Sequence, residues 1–217
     1  MSDIVFFDLD GTLTDPWEGI TRCVQHALRH FGIEEPDRHR LTCFIGPPLR
    51  RSFMERYGLD AAQAEIAVAK YRERFDVEGW RENTVYPGVP ELLAGLVRRG
   101  ATLAVATSKP TLYASRILEW FGLSPYFTEV VGCEMDGTRS DKAEVIAETL
   151  ARLGLGDHDK SRVCMVGDRR HDIIGAKACG VRAVGADYGY AEPGELEAAG
   201  ADDVAGTVEE LAGILMP

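Results

Sequence analysis

The sequence predicts an α/β fold, in which a parallel sheet with helices on both faces is interrupted by an all-helical insert. From about residue 88 onward, short apolar runs alternate with helical patterns, and another apolar run lies close to the amino end. Between these parts, residues 16–82 follow a helical period without a clear strand. We therefore expect an α/β core formed by residues 1–15 and 83–217, and a helical module at residues 16–82.

The first strand of the core is predicted at Ile4–Phe7, where a continuous apolar run indicates burial on both faces. Further apolar runs predict strands near residues 102–106, 129–131, 162–166 and 181–184. The connecting helices are predicted near residues 90–99, 110–121, 141–153 and 172–179. Strands and helices of this length, in alternation, are typical of a parallel sheet.

The insert is expected to begin with a helix over residues 16–31 and to end with a helix over residues 61–74. Asp15 is a candidate N-cap for the first helix, with Pro16 at the first helical position. A functional role for Asp15 is the alternative. The crossings between core and insert lie at Asp15 and between residues 83 and 88.

The composition excludes several classes of protein. The 217 residues include 24 basic and 35 acidic side chains, and the net charge of -11 disfavours binding to nucleic acid or to an anionic membrane. Residues 16–82 hold eleven basic and eleven acidic residues, so the core carries the whole surplus. Five scattered cysteines, without a C-x-x-C pair, favour reduced thiols, and we expect a cytoplasmic protein without a membrane span.

Polar side chains follow three of the predicted strands and begin one of the helices. Because ligands of open parallel sheets bind beyond the carboxyl ends of the strands, we expect these side chains to meet. Crowded carboxylates repel one another, and a hard cation such as Mg2+ would relieve that repulsion. A hydroxyl and an ammonium group suit phosphate oxygens. The side chains are Asp8, Asp10, Thr107, Ser108, Lys109, Lys142, Asp168 and Asp172.

These residues form a recognisable pattern. The segment DLDGTLTD at residues 8–15 resembles the first signature of the haloacid dehalogenase superfamily, and Thr107, Lys142 and residues 167–172 resemble the other three. The insert resembles the helical cap of that family. Within the superfamily, the chain resembles the phosphoglycolate phosphatase group in two segments, FIGPPL at residues 44–49 of the insert and YGY at residues 188–190. The resemblance covers the whole chain and implies a Rossmann-like core.

The resemblance also implies a role for each matching residue. Asp8 would attack phosphorus and form an aspartyl-phosphate, while Asp10 would act as general acid and then as general base. The phosphate would be bound by Thr107, Ser108 and Lys142. Mg2+ would be bound by Asp8, by the backbone carbonyl of Asp10 and by Asp168. Asp172 would lie behind these ligands or on a metal-bound water.

Several alternatives stay open at this stage. Lys109 could replace Lys142, because Ala143 follows Lys142 where the family commonly has proline. Ser108 and Lys109 could instead begin the helix that follows. Asp172 could merely cap its own helix. By contrast, two carboxylates directly after a buried strand, Asp8 and Asp10, are costly unless they have a partner.

The residues of the insert are weaker candidates for the site. Gly46 and Arg50 are possible contacts with the substrate, and Arg51 belongs to the same pair of arginines. The ordinary alternative is that the arginines of the insert form solvated surfaces. The insert would close over the site, exclude water and select the leaving group.

The function implied is a Mg2+-dependent phosphatase acting on a small phosphorylated metabolite, with phosphoglycolate favoured. Within the superfamily the alternatives are a 5'-nucleotidase, a pyrophosphatase, and a phosphatase or mutase of sugar phosphates. From another class, a non-enzymatic phosphate sensor of the receiver type also combines acidic residues, a hydroxyl and a lysine. The oligomeric state is expected to be a monomer or a homodimer.

Overall fold

A computed structural model describes residues 3–217 of the protein. The chain divides into two compact units. A helical unit comprises Pro16–Thr84, and a core unit contains the described residues up to Asp15 together with Val85–Pro217. The predicted insert ended at residue 82, two residues before the end of the helical unit.

The sheet of the core unit has six parallel strands, in the order β5-β4-β1-β6-β7-β8. Two further short strands, β2 and β3, form a separate ribbon where the chain leaves and re-enters the core unit. The strands are β1 Ile4–Phe7, β2 Thr14–Asp15, β3 Thr84–Val85, β4 Thr102–Pro110, β5 Glu129–Cys133, β6 Val163–Gly167, β7 Arg182–Ala186 and β8 Asp203–Ala205.

Nine α-helices occur among residues 3–217, three in the helical unit and six in the core unit. None of them combines the length and the apolar character that crossing a membrane requires. The helices are α1 Trp17–His30, α2 Leu49–Tyr57, α3 Ala61–Arg74, α4 Val89–Arg98, α5 Thr111–Trp120, α6 Lys142–Arg152, α7 Arg170–Cys179, α8 Glu195–Ala198 and α9 Val208–Leu215.

The central position of β1 explains its apolar sequence. It pairs with β4 on one side and with β6 on the other, so that Phe7 lies beside Val105 and Val166. All four of its residues are buried, as the continuous apolar run predicts. The α/β fold predicted from the sequence, with its parallel sheet and helical insert, is confirmed.

The main hydrophobic core lies between the sheet and the helices that pack on it. Phe6 and Met165 from the sheet pack in one cluster with Ile146 of α6, Ile173 of α7 and Leu196 of α8. All five are fully buried or nearly so, and burial of each such side chain stabilises the fold by about 1.5–3 kcal/mol. The carboxyl ends of the central strands therefore project from a well-packed hydrophobic core.

The helical unit forms around α1 and α3. The buried residues of α1 include Val24 and Leu28, and those of α3 include Ala64 and Ala67. Asp60 caps α3, since its side chain accepts a hydrogen bond from the Gln63 amide while the Gln63 side chain accepts one from the Asp60 amide. The predicted bounds of this helix, 61–74, agree with the structure.

Two local predictions are wrong. Asp15 does not cap α1, because Pro16 occupies the cap position and the Asp15 carboxylate accepts a hydrogen bond from the Tyr190 hydroxyl. Ser108 and Lys109 do not begin a helix. They belong to β4, which continues to Pro110 before α5 begins.

Candidate active site

The candidate site forms where the central strands end. Asp8 follows β1, Thr107 lies near the end of β4, and Asp168 follows β6. Strands β4 and β5 lie on one side of β1, and the strands that follow in the chain, beginning with β6, lie on its other side. The order in which the strands are added to the sheet therefore reverses at β1. Such an edge is where open α/β sheets bind ligands. The Asp8 amide donates to the Val166 carbonyl at 2.9 Å, which joins this loop to β6.

Three carboxylates are buried together at this edge. Asp8, Asp168 and Asp172 each place one oxygen within 4.8 Å of the others, and their exposed fractions are 4%, 0% and 1%. Burial raises the pKa of Asp168 well above its usual range, and the charges of Asp172 and Asp8 raise it further. Burial likewise raises the pKa of Asp172, to about 6. The cluster is therefore costly to ionise without a cation.

Asp168 offers the clearest fit to a metal ion. Its Oδ2 accepts a hydrogen bond from the Tyr190 amide at 2.8 Å. Its Oδ1 is buried and has no hydrogen-bond partner among residues 3–217. A buried, unpartnered carboxylate oxygen beside two further carboxylates is the donor set that a hard divalent cation prefers.

Lys142 lies among the same carboxylates. Its Nζ is 3.0 Å from Asp8 Oδ1 and 2.7 Å from Asp172 Oδ1, and it donates to the Ala106 carbonyl at 3.1 Å. Burial alone would lower the pKa of Lys142, but the charges of Asp172 and Asp8 raise it above the usual value. Lys142 begins α6, and Asp141 caps that helix by accepting from the Ala143 amide. A permanent positive charge is thus held beside Asp8.

Lys109 contacts the other aspartate of the first loop. Its Nζ lies 2.5 Å from Asp10 Oδ2, and the side chains of Lys109 and Asp10 are only 7% and 10% exposed. Burial raises the pKa of Asp10 above its usual value, against the opposing effect of Lys109. The two lysines that the sequence left as alternatives therefore have separate partners, Lys142 at Asp8 and Lys109 at Asp10.

Thr107 and Ser108 occupy an irregular part of β4. The register between β4 and β5 shifts between Ala106 and Pro110, which frees the end of the strand from regular pairing. Thr107 is buried, and its hydroxyl accepts from the Lys109 amide at 3.2 Å. The Ser108 hydroxyl donates to the Ser140 carbonyl at 3.4 Å, in the segment before α6. Both hydroxyls lie on the same strand end as Lys109.

Asp172 combines the two functions that the sequence offered as alternatives. The helix α7 begins at Arg170, two residues earlier than predicted, so Asp172 lies in its first turn. Its Oδ2 accepts from the Arg169 amide at 3.1 Å, as a capping group does, and its Oδ1 pairs with Lys142. The same side chain therefore caps a helix and belongs to the charged cluster.

The remaining candidates, Gly46 and Arg50, belong to the helical unit. Gly46 adopts a φ of 98° before α2, a conformation that favours glycine. Arg50 pairs with Glu65 of α3 at 2.6 Å, and about half of its side chain is exposed. A contact of either residue with substrate stays a prediction.

One part of the site was not assigned a role from the sequence. Tyr188, Gly189 and Tyr190 follow β7 and contact both Asp168 and the first loop. Their motif was visible as YGY, but nothing in the sequence indicates which residues they touch. The signal that finds them is spatial, since Tyr190 and Asp168 lie 22 residues apart in the chain.

The sheet order and the helical insert after β1 agree with one family of α/β proteins, the haloacid dehalogenase-like hydrolases. The chain belongs to this family, whose profile matches residues 5–186. A predicted phosphatase from Clostridium acetobutylicum has a crystal structure that superposes with a TM-score of 0.95, at 42% identity, and the match covers 100% of this chain and 99% of that one. The family resemblance drawn from the motifs is thereby confirmed.

Named relatives carry different activities. A 5'-nucleotidase of Pseudomonas aeruginosa is 52% identical over 194 residues, which are 89% of this chain and 86% of that protein. Tyrosine-protein kinase PtkA of Mycobacterium tuberculosis is 39% identical over 96% of this chain and 70% of its own length. Phosphoglycolate phosphatase 1 of Pseudomonas aeruginosa is 30% identical over 86% of this chain and 70% of its own length.

Proposed function

We propose that the protein is a Mg2+-dependent phosphatase that hydrolyses a phosphate monoester through an aspartyl-phosphate on Asp8. The observation that carries this proposal is the difference between the surroundings of two buried aspartates, Asp8 and Asp10. Asp8 lies beside the Lys142 ammonium and two carboxylates, whereas Asp10 has a raised pKa and its own lysine. A nucleophile and a proton carrier need such different surroundings.

The carboxylate cluster is the proposed metal site. Asp8, Asp168 and the backbone carbonyl of Asp10 would hold Mg2+, with Asp172 beside them. The unpartnered Oδ1 of Asp168 and the mutual repulsion of the buried carboxylates support this assignment. When bound, Mg2+ would supply positive charge that neutralises the phosphoryl oxygens.

Asp8 is the proposed nucleophile. A carboxylate oxygen of Asp8 would form a bond to phosphorus while the bond from phosphorus to the ester oxygen breaks. Water would then attack the phosphorus of the aspartyl-phosphate and release inorganic phosphate, which regenerates the carboxylate. The Lys142 ammonium and the Thr107 hydroxyl would bind the phosphoryl oxygens as negative charge shifts onto them. The 3.0 Å contact between Lys142 and Asp8 supports Lys142, rather than Lys109, in this role.

Asp10 is the proposed general acid and base. It would donate a proton to the departing ester oxygen in the first step and take one from water in the second. Burial raises its pKa, which favours the protonated form that the first step needs. Lys109 holds one oxygen of this carboxylate, and the other oxygen, Oδ1, has no hydrogen-bond partner in the described chain.

Nucleoside 5'-monophosphates are our first candidates for the substrate. The relative named 5'-nucleotidase shares 52% identity, whereas the phosphoglycolate phosphatase of the same organism shares 30%. This difference reverses the order expected from the motifs, which favoured phosphoglycolate. Phosphoglycolate is the second candidate, followed by sugar phosphates and pyrophosphate.

The test is a panel of initial rates over these compounds, with Mg2+ and with excess EDTA. One compound should stand about tenfold to a hundredfold above the others in kcat/KM. EDTA should abolish turnover. Asp8→Asn should lower kcat by about 10³-fold or more, because the amide cannot act as the nucleophile.

The matched control is Asp157→Asn, which makes the same chemical change at a carboxylate that is 95% exposed. This variant should keep the rates of the wild type. Full activity of Asp8→Asn would overturn the mechanism. Phosphorylation of a tyrosine peptide from ATP, without hydrolysis of any monoester, would instead indicate a kinase. No turnover of any kind would favour the phosphate sensor.

A further inference from the structure

The segment Tyr188–Tyr190 joins two parts of the candidate site that are distant in sequence. The Tyr190 amide donates to Asp168 Oδ2 at 2.8 Å. The Tyr188 hydroxyl donates to the Thr12 carbonyl at 3.0 Å, and the Tyr190 hydroxyl donates to the Asp15 carboxylate. One short segment after β7 therefore contacts the aspartate that follows β6 and the loop that follows β1.

Two glycines permit this close approach. A Cβ on Gly189 would lie 2.3 Å from the Gly11 carbonyl oxygen and 2.4 Å from Asp168 Cβ. A Cβ on Gly11, whose φ is +85°, would lie 2.1 Å from Asp168 Oδ2. Since real Cβ atoms do not approach other atoms so closely, any side chain at Gly189 must displace either the first loop or Asp168.

The tyrosine side chains add rigidity to the segment. The rings of Tyr86 and Tyr188 pack edge to face, with their centroids 5.2 Å apart. Both side chains are phenols, and phenol hydroxyls are protonated donors at neutral pH. The two hydroxyl contacts are therefore present across the physiological range.

The result is a carboxylate with one oxygen fixed and one available. Asp168 Oδ2 is held by the Tyr190 amide, whereas Oδ1 has no hydrogen-bond partner in residues 3–217. The packed glycines restrict the side chain as a whole. Contacts of this kind orient metal ligands, and their loss typically weakens metal binding by 10–100-fold.

We propose that Tyr188, Gly189 and Tyr190 form a positioning element for the metal site, which fixes Asp168 and holds it in register with the loop that carries Asp8 and Asp10. This inference rests on the proposed function, because it requires that the carboxylate cluster binds a divalent cation. None of the three residues contacts the cation by its side chain in this proposal. They act through Asp168 and through the first loop.

The decisive variant is Gly189→Ala in the full chain. Binding of Mn2+, a probe for the Mg2+ site, is measured directly by electron paramagnetic resonance of the free ion. The affinity should fall about 10–100-fold. The matched control is Gly213→Ala in α9, where an added Cβ meets nothing within 4 Å. The control should bind Mn2+ as the wild type does.

A kinetic measurement separates positioning from a general loss of structure. In Gly189→Ala, the Mg2+ concentration needed for half-maximal activity should rise in parallel with the Mn2+ dissociation constant. Saturating Mg2+ should restore most of kcat, although the clash with the Gly11 carbonyl should lower the thermal midpoint of the metal-free variant below that of the control. A loss of kcat that Mg2+ does not restore, with unchanged affinity for Mn2+, would overturn the proposal.

A second variant decides the question if Gly189→Ala does not fold. The double change Tyr188→Phe and Tyr190→Phe keeps the rings and the Tyr190 amide but removes both hydroxyl contacts with the first loop. It should weaken Mn2+ binding about threefold to tenfold, and wild-type affinity would overturn the proposal. If the wild type itself binds no Mn2+, the proposed function fails. If only the variants are unaffected, the positioning element alone fails.

Discussion

The core unit differs from the helical unit in one buried group of charged residues, whereas its other ion pairs, such as that of Lys177 with Asp202, are exposed like those of the helical unit. In the core unit, four aspartates are at most 7% exposed: Asp10, which pairs with Lys109, Asp8 and Asp172, which pair with Lys142, and Asp168. In the helical unit, acidic residues form ion pairs with arginines nearer the surface, as Glu82 does with Arg22 and Arg74 and Glu65 does with Arg50.

The two arrangements differ in their effect on stability. Exposed ion pairs are cheap to form and contribute little, so a neutral unit can carry many of them. Buried carboxylates in excess over cations destabilise a fold, and proteins retain such arrangements where they perform a function. If the carboxylate cluster binds a divalent cation as proposed, part of the net charge of -11 belongs to that site.

The largest expected effect comes from removing the positive charge of Lys142, which lies among the buried carboxylates. Lys142→Met keeps the length of the side chain but leaves Asp8 and Asp172 without their ammonium partner. We expect the free energy of unfolding to fall by about 3–5 kcal/mol in metal-free buffer at pH 7, measured by urea denaturation. Added Mg2+ should recover part of this loss.

The matched control makes the same substitution in the helical unit. Lys70 pairs with Glu73 at the surface, and Lys70→Met should leave the urea midpoint unchanged. Equal urea midpoints for Lys142→Met and the wild type would show that the buried carboxylates do not need the Lys142 ammonium for stability. The contrast between the two units would then disappear.

A smaller effect is expected from pH. Burial raises the folded-state pKa of Asp168 and of Asp172, the latter to about 6. A carboxyl group with a raised folded-state pKa binds protons more readily in the folded protein, so its contribution favours folding at low pH and is lost as the pH rises. Between pH 7 and pH 5 these two groups should therefore add about 1 kcal/mol to the free energy of unfolding of the metal-free protein.

Saturating Mg2+ provides the comparison for this experiment. A bound cation favours the ionised carboxylates, so with Mg2+ the gain on acidification should vanish or change sign. Urea midpoints at pH 7, 6 and 5, with EDTA and with Mg2+, measure both curves. A metal-free protein that loses stability steadily from pH 7 to pH 5 would contradict the raised pKa values.

The fold and the charged cluster were largely predictable from the sequence, for a local reason. Buried strands such as Ile4–Phe7 are continuous apolar runs, and the polar residues directly after them must lie at the strand ends. Asp8, Asp168 and Lys142 meet there because all parallel strands end at one edge. The order of the strands was not needed for that prediction.

What the sequence did not indicate depends on distant contacts or on very short elements. The three-residue strand β8 and the ribbon strands β2 and β3 are too short to show a period. The pairing of Lys109 with Asp10 joins residues that are 99 positions apart. Likewise, Asp15 was predicted to cap a helix because it precedes Pro16 and a helical pattern. Its carboxylate instead accepts a hydrogen bond from Tyr190, which is far along the chain.

The smallest effect on stability is expected in the helical unit, where it isolates a question of function. Arg50→Ala breaks an exposed pair with Glu65, and Arg51→Ala breaks an equally exposed pair with Glu55. Each change should lower the free energy of unfolding by less than about 1 kcal/mol. Because the two variants are matched in stability, a rise in KM for Arg50→Ala alone identifies Arg50 as a substrate contact. Unchanged KM in both variants would leave Arg50 as part of a solvated surface.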